Sequence, residues 1–252
     1  INNSTYKLDN YNLNASETSS LLSFKLTSIA QASELVDFVL EMPSNREMKI
    51  LQITDTQIID SSQMRSPDRL NKSAVEMWTR GKIDKNCFNH IAELIDSERP
   101  DLILFTGDIV YGEFDDTGEI WTRIIDFMES FNIPWAPIFG NHDNDDYKPE
   151  GSKKYGGDEY LETLFAECDN CLYIHGPAEV QGSSNYIVNV LEEGSGKLVE
   201  SLVFLDSYHS GLVQSNTKFY EDAIDYVKTL NNDVTPRSIV FEHVPITQYG
   251  DA

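Results

Sequence analysis

Basic residues are scarce in this chain, with 19 lysines and arginines against 42 aspartates and glutamates in 252 residues and a formal net charge of −23. Such a surface repels phosphate backbones and anionic headgroups, so nucleic acid and membrane surfaces are not expected partners unless a bound cation inverts the field locally. Long hydrophobic runs are missing too. No apolar stretch approaches the roughly 20 residues that cross a bilayer, and no membrane span is expected. Cysteine is sparse, with three in total, which is too few for a disulfide scaffold. Cys168 and Cys171 sit close enough in a loop to pair, which would leave Cys87 odd. Two catalytic signatures are also missing: there is no Walker-type glycine-rich loop and no Gly-x-Ser-x-Gly elbow. Their absence argues against P-loop nucleotide hydrolysis and serine-esterase chemistry.

What is there is a globular composition. Hydrophobic residues make up 40% and aromatics 11%, enough for a substantial core, and the length suits one large α/β domain. Residues 1–23 are rich in Asn, Ser and Thr, and the stretch 1–47 reads as a lead-in, weakly ordered or forming edge strands, ahead of a domain at 48–252. Asn2, Asn3, Asn14 and Asn71 each open an Asn-x-Ser/Thr pattern. With Ile1 as first residue, they point to a processed protein that is secreted or held in a vacuolar or lysosomal lumen, with the cytoplasm as the alternative.

From Met48 onward, short apolar runs end at polar residues and give way to helical spacing. The run 48–54 ends at Asp55, 101–106 at Gly107-Asp108, 135–139 at Gly140-Asn141-His142-Asp143, and 237–241 at Glu242-His243. The spacing predicts helices over 84–98, stopped by Pro100, and over 119–131, 158–167 and 217–230. It predicts strands at 171–174, 184–191 and 200–205, the last two joined as a hairpin around 192–197. Strands alternating with helices early and a strand cluster later imply mixed sheets in a layered α/β fold. In such folds ligands bind at the carboxyl ends of strands, which is where Asp55, Asp108, Asn141, Asp206 and His243 fall.

One aspartate after a strand is unremarkable, but this ordered set offers carboxylate, amide-oxygen and imidazole donors for a pair of metals, with carboxylates able to bridge them. Gly107-Asp108 is a weak motif and Gly140-Asn141-His142-Asp143 after an apolar strand is a strong one. With His243 following Val240-Phe241-Glu242, the series resembles the calcineurin-like metallophosphoesterases over roughly 48–249. The resemblance implies a layered αββα sandwich of two mixed sheets flanked by helices, with the metal site at the strands' carboxyl ends. It implies that Asp55 ligates one metal, that Asp108 bridges both, and that Asn141 and His243 ligate the second. His142 would act as general acid or electrostatic stabiliser, oriented by Asp143.

Two departures from the family pattern refine this. Where most of the superfamily has Asp-x-His, this chain has Asp55-Thr56-Gln57, and a neutral amide is a poor substitute for imidazole. The purple-acid-phosphatase branch also lacks that histidine and uses a tyrosine three residues after the bridging aspartate. Tyr111 stands at that position, and Val240-x-x-His243 fits the same branch. A ligating phenolate calls for a strongly Lewis-acidic ion. The resemblance therefore implies two metal ions, Fe(III) with a divalent Fe, Zn or Mn if Tyr111 ligates, and a Mn or Zn pair if it does not. Gln57 would hydrogen-bond around the site or make a weak amide contact. His209 would contact phosphate if it faces the site and otherwise lies in a surface loop. Lys153, Lys154 and Tyr155 either meet an anionic substrate or form a solvated loop.

The second departure is that the family's closing Gly-His-x-His motif does not occur in the sequence, so the domain at 48–252 is expected to lack its C-terminal part. The expected activity is hydrolysis of a small phosphate monoester by water activated at a dinuclear metal site. Phosphodiesters, nucleotides and phospholipid headgroups are the alternatives on the same core. Gln57 and the missing histidine pair favour a further alternative, a degenerate phosphoesterase-fold module that binds without catalysing.

Overall fold

The computed structural model describes residues 37–59, 71–79, 83–111, 119–143 and 158–246. The apolar runs become strands and the periodic segments become helices. In chain order these are β1 (Phe38–Met42), β2 (Ile50–Ile53), α1 (Lys72–Thr79), α2 (Ile83–Glu98), β3 (Leu102–Thr106), α3 (Glu119–Glu129), β4 (Trp135–Ile138), α4 (Asp158–Phe165), β5 (Tyr186–Glu192), β6 (Leu198–Phe204), α5 (Gln214–Leu230) and β7 (Ser238–Phe241). The fold is mixed α/β with two sheets and flanking helices. The chain divides into a contiguous unit, Lys49–Cys171, and a second unit made of Ile1–Met48 and Leu172–Ala252. Among the described residues no helix is long and apolar enough to cross a membrane.

The contiguous unit is built on a three-stranded parallel sheet in the order β2-β3-β4. Its central strand, Leu-Ile-Leu-Phe-Thr, is buried at all five positions, the pattern of a parallel strand covered on both faces. Pro137 lies within β4, at the sheet edge, where a missing N–H breaks no ladder. Asp84, Ile91 and Ile95 form the buried side of α2, at helical spacing, and Ile120, Trp121, Ile124, Ile125 and Met128 that of α3. The two helices meet through Phe88 and Phe127, whose ring centroids are 4.8 Å apart. Arg123 adds an ion pair to the buried Asp84 at 2.7 Å and lies over the Phe88 ring. Phe165 of α4 packs against Trp121, Trp135 and Phe139.

The other unit holds a four-stranded mixed sheet in the order β1-β5-β6-β7, with β5 and β6 antiparallel and the outer pairs parallel. The β5–β6 hairpin turns at Glu192–Lys197, where Glu192 N–H donates to the Lys197 carbonyl. Phe219, Ala223 and Ile224 of α5 pack on Val180, Ile187, Val203 and Leu205. Residues 38–42 of the lead-in form an edge strand in register with 188–192 of β5. Residues 1–36, and with them Asn2, Asn3 and Asn14, lie outside the described residues.

Two elements differ from the sequence expectation. Helix α1 falls between Asp55 and the helix at 84–98, where the spacing predicts no element, and Asn71 starts it by accepting the Ala74 N–H at 2.9 Å. The strand expected at 171–174 is reduced to one bridge, Cys171 to Trp135. The preceding amides of Asp169 and Asn170 are taken by the Glu129 carboxylate instead of a ladder.

Candidate metal centre at the strand ends

Within the contiguous unit, the loops leaving β2 and β3 are zipped together beyond the sheet. Asp55 N–H donates to the Gly107 carbonyl at 3.1 Å, Gln57 N–H to Asp108 at 2.8 Å, Ile58 N–H to Ile109 at 2.9 Å, and Tyr111 N–H to Ile58 at 3.2 Å. Thr56 adds its hydroxyl to the Ile109 carbonyl at 2.8 Å. These bonds hold the Asp55 and Asp108 loops side by side. Asp55, Gln57 and Asp108 have φ of 52°, 41° and 49°, a region where non-glycine residues are held at a cost and which clusters at functional sites.

Asp108 is 3% exposed and its oxygens are fixed separately. Oδ1 accepts the His142 N–H at 3.0 Å, and Oδ2 accepts Gln57 Nε2 at 3.2 Å. Asp55 is exposed, and one of its oxygens accepts the Thr54 hydroxyl at 2.7 Å. The turn after β4 approaches so closely that a Cβ on Gly140 would lie 2.3 Å from both the Asp108 nitrogen and Oδ1. Glycine is therefore required at 140 by space.

Asp143 is held by backbone amides. Its Oδ1 accepts the Val110 N–H at 3.0 Å and its Oδ2 the Gly140 N–H at 2.7 Å. It joins the β3 and β4 turns from beneath, and the ring that meets the His142 imidazole is Tyr111, 4.5 Å between centroids at 34°. Burial pushes the Asp143 carboxyl up to about 7, the Gly140 and Val110 amides pull it down, and the Asp108 charge pushes it up further.

In the other unit, His243 is half-buried just past the carboxyl end of β7. Its loop is tied down by Val244 N–H donating to the buried Ser207 hydroxyl at 2.7 Å. Burial raises the neighbouring Glu242 carboxyl, which accepts the Ile246 N–H. His209 is exposed, with its ring edge-on to Tyr208 at 4.2 Å. Asp206 also ends a strand but serves the interior. It is fully buried, Oδ2 accepts both backbone N–H groups and the hydroxyl of the Ser183-Ser184 pair, and Oδ1 accepts the Tyr208 N–H. Lys153, Lys154 and Tyr155 lie outside the described residues.

The donors in the contiguous unit suit a hard or borderline cation: two carboxylates and the side-chain oxygen of Asn141 in the turn after β4. A cation held by Asp108 would also offset the repulsion between Asp108 and buried Asp143.

The sequence model described as calcineurin-like phosphoesterase matches residues 48–252. The chain belongs to the calcineurin-like phosphoesterase family. Phosphatase DCR2 of Saccharomyces cerevisiae is 26% identical over 186 residues, covering 67% of this chain and 30% of its own length. The Arabidopsis thaliana protein named probable inactive purple acid phosphatase 28 is 37% identical over 98 residues, 38% of this chain and 23% of its own. The chain thus spans less than a third of the length of either curated relative. A solved dimetal phosphatase from Danio rerio is 14% identical with a TM-score of 0.40, covering 79% of this chain and 70% of that one. Relatives of the purple-acid-phosphatase type mark the branch of the calcineurin-like family on which the chain sits.

Sequence reading overlooked two contributors to this phosphoesterase framework. Thr54 and Thr56 pin the Asp55 loop through their hydroxyls, Thr54 standing within 3.2 Å of the Thr106 carbonyl as well. The signal available was a threonine on each side of a strand-ending aspartate. Gly140 was read as part of a motif, and only the structure gives its steric reason.

Proposed function

We propose that this chain carries the main part of a metal-dependent phosphoesterase site that hydrolyses small phosphate monoesters. The observation that carries the reading is the gathering of Asp55, Asp108 and the Gly140-Asn141-His142 turn by paired loops at the ends of three parallel strands, with three residues in left-handed conformations. By the family's pattern Asp55, Asp108, Asn141 and His243 would hold two metal ions, with Tyr111 as a ligand if one is ferric. When bound, the metals supply a lowered pKa for water and charge neutralisation at the phosphoryl group.

The chain's own residues do the rest. Asp108, held at each oxygen by a different donor, keeps one orientation in which its carboxylate would hold a cation. Asp143 fixes the Gly140 and Val110 amides and so the path of the turn that presents His142. Contact with the tilted Tyr111 ring limits the rotation of the His142 imidazole, which donates a proton to the leaving-group oxygen. The Asn-x-Ser/Thr patterns support a secretory or vacuolar-lysosomal setting for this activity.

Elemental analysis and turnover of a chromogenic phosphate monoester test the proposal together. Asp108→Asn should lower metal content and turnover in parallel. His142→Ala should retain metal and lose about 10²-fold or more in turnover. Full activity in His142→Ala would remove that residue's role. A visible tyrosinate-to-iron band lost in Tyr111→Phe would establish the ferric form, and an active, metal-loaded, colourless protein would refute it.

One observation favours a second reading, a binding module without catalysis. Gln57 turns its amide nitrogen to the Asp108 carboxylate, where an imidazole ligand stands in most of the family. Metal-free protein that still binds phosphate esters would decide for the module.

A further inference from the structure

Cys168 and Cys171 flank a bend at Asp169–Asn170 just past the end of α4, and both are free thiols. Cys168 and Cys171 stand three residues apart across this bend, and the Cys168 thiol reaches back to the Leu164 carbonyl at 3.5 Å. The intervening bend is held firmly. Glu129 at the end of α3 accepts Asp169 N–H at 2.9 Å, Asn170 N–H at 3.1 Å, Asn170 Nδ2 at 3.0 Å and Trp135 Nε1 at 2.7 Å. Trp135 N–H in turn donates to the Asn170 carbonyl at 3.0 Å, and Cys171 bridges to Trp135 at the start of β4. The backbone between the two cysteines is thus fixed by contacts that do not involve their sulfurs.

We propose that Cys168 and Cys171 form a reversible disulfide that locks the end of α4 to the segment bridged to β4. The oxidant is a small disulfide such as glutathione disulfide. Cys168 loses its proton and its thiolate attacks one glutathione sulfur, expelling the first glutathione thiolate. Cys171 then loses its proton and attacks the Cys168 sulfur, expelling the second. Two protein thiols are oxidised, one external disulfide is reduced to two thiols, and the electrons balance. Burial raises the Cys171 thiol well above its ordinary range, so the first attack falls to Cys168. Cys87, on α2, has no part in the step.

The test is equilibration of the full chain in an oxidising glutathione buffer, followed by denaturation, alkylation and peptide mass spectrometry. The expected result is one alkylated cysteine, Cys87, and a peptide spanning 168–171 lighter by two hydrogens. Dithiothreitol should lower the melting temperature of the wild type by about 5 °C, as for a short closed loop. It should leave the Cys168→Ser, Cys171→Ser double variant unshifted. Alkylation of all three cysteines, separate glutathione adducts on Cys168 and Cys171, or a bridge that includes Cys87 would each overturn the proposal. A thermal shift shared equally by the double variant would overturn the lock.

Discussion

Replacing Gly140 by alanine separates the claim that this turn is shaped by the site from the simpler idea that it is merely a turn. The added Cβ would lie 2.3 Å from both the backbone nitrogen and Oδ1 of Asp108. Ordinary carbon contact begins near 3.4 Å, so about 1 Å of separation must open, and the atoms in the way cannot swing aside. The Asp108 nitrogen is backbone, and its carboxylate is held by His142 N–H and Gln57 Nε2. Overpacking of this kind costs about 1–3 kcal/mol, and each hydrogen bond lost on relaxation adds about 1 kcal/mol. For a chain of this size that is a fall in melting temperature of about 5–10 °C. Gly194 is the control, with φ of +78° and nothing within 4 Å of its Cβ position. Its alanine variant bears only the left-handed penalty of about 1–2 kcal/mol. Both proteins are measured by thermal unfolding and by metal content. The Gly140 variant should lose stability and metal together, and the Gly194 variant should retain its metal. A Gly140 variant that melts like the wild type and holds a full complement of metal would refute the steric account.

Other expectations follow from the same contacts. Burial raises the Asp206 carboxyl against four opposing hydrogen-bond donors. The folded state thus holds that proton more tightly than the unfolded chain, and stability from this group is lost as pH rises from about 3.9 through the raised value. In denaturant titrations the stability of Asp206→Asn relative to wild type should therefore improve with rising pH, and the opposite trend would show that the donors outweigh burial. Glu129→Gln should cost about 1–3 kcal/mol in chemical unfolding, because an amide NH₂ would face the Asp169 and Asn170 N–H donors. Leu104→Ala, at a position 0% exposed in the central strand, should cost about 2–5 kcal/mol, and a loss under 1 kcal/mol would mean the sheet is less tightly packed than it stands.

The strands were legible because parallel strands covered on both faces are continuous apolar runs, as in 102–106 and 135–138, and each ends at the residue that leaves the sheet. Helices α2, α3 and α5 were legible from their apolar spacing. Helix α1 was not, since its eight residues are too short a stretch to show a repeating apolar spacing and its N-cap is a lone asparagine. Asp55 and Asp108 could be anticipated as neighbours because both end strands. The role of Asp143 could not, because its partners are backbone amides, which leave no trace in side-chain identity. Asp206 shows the converse: a strand-ending aspartate reads the same whether it faces a ligand or caps a loop.

The register between β1 and β5 aligns Phe38 with Val188, and that pairing constrains how the protein assembles as it is synthesised. The 49–171 unit is one uninterrupted segment and can complete its sheet while the ribosome is still adding the remainder. The first strand of the other unit emerges early but has no partner until some 150 residues more have been made. During that interval its backbone groups stay unpaired and open to wrong partners. Fusions or truncations that expose 38–42 without 186–192 should therefore be the forms of this protein that aggregate.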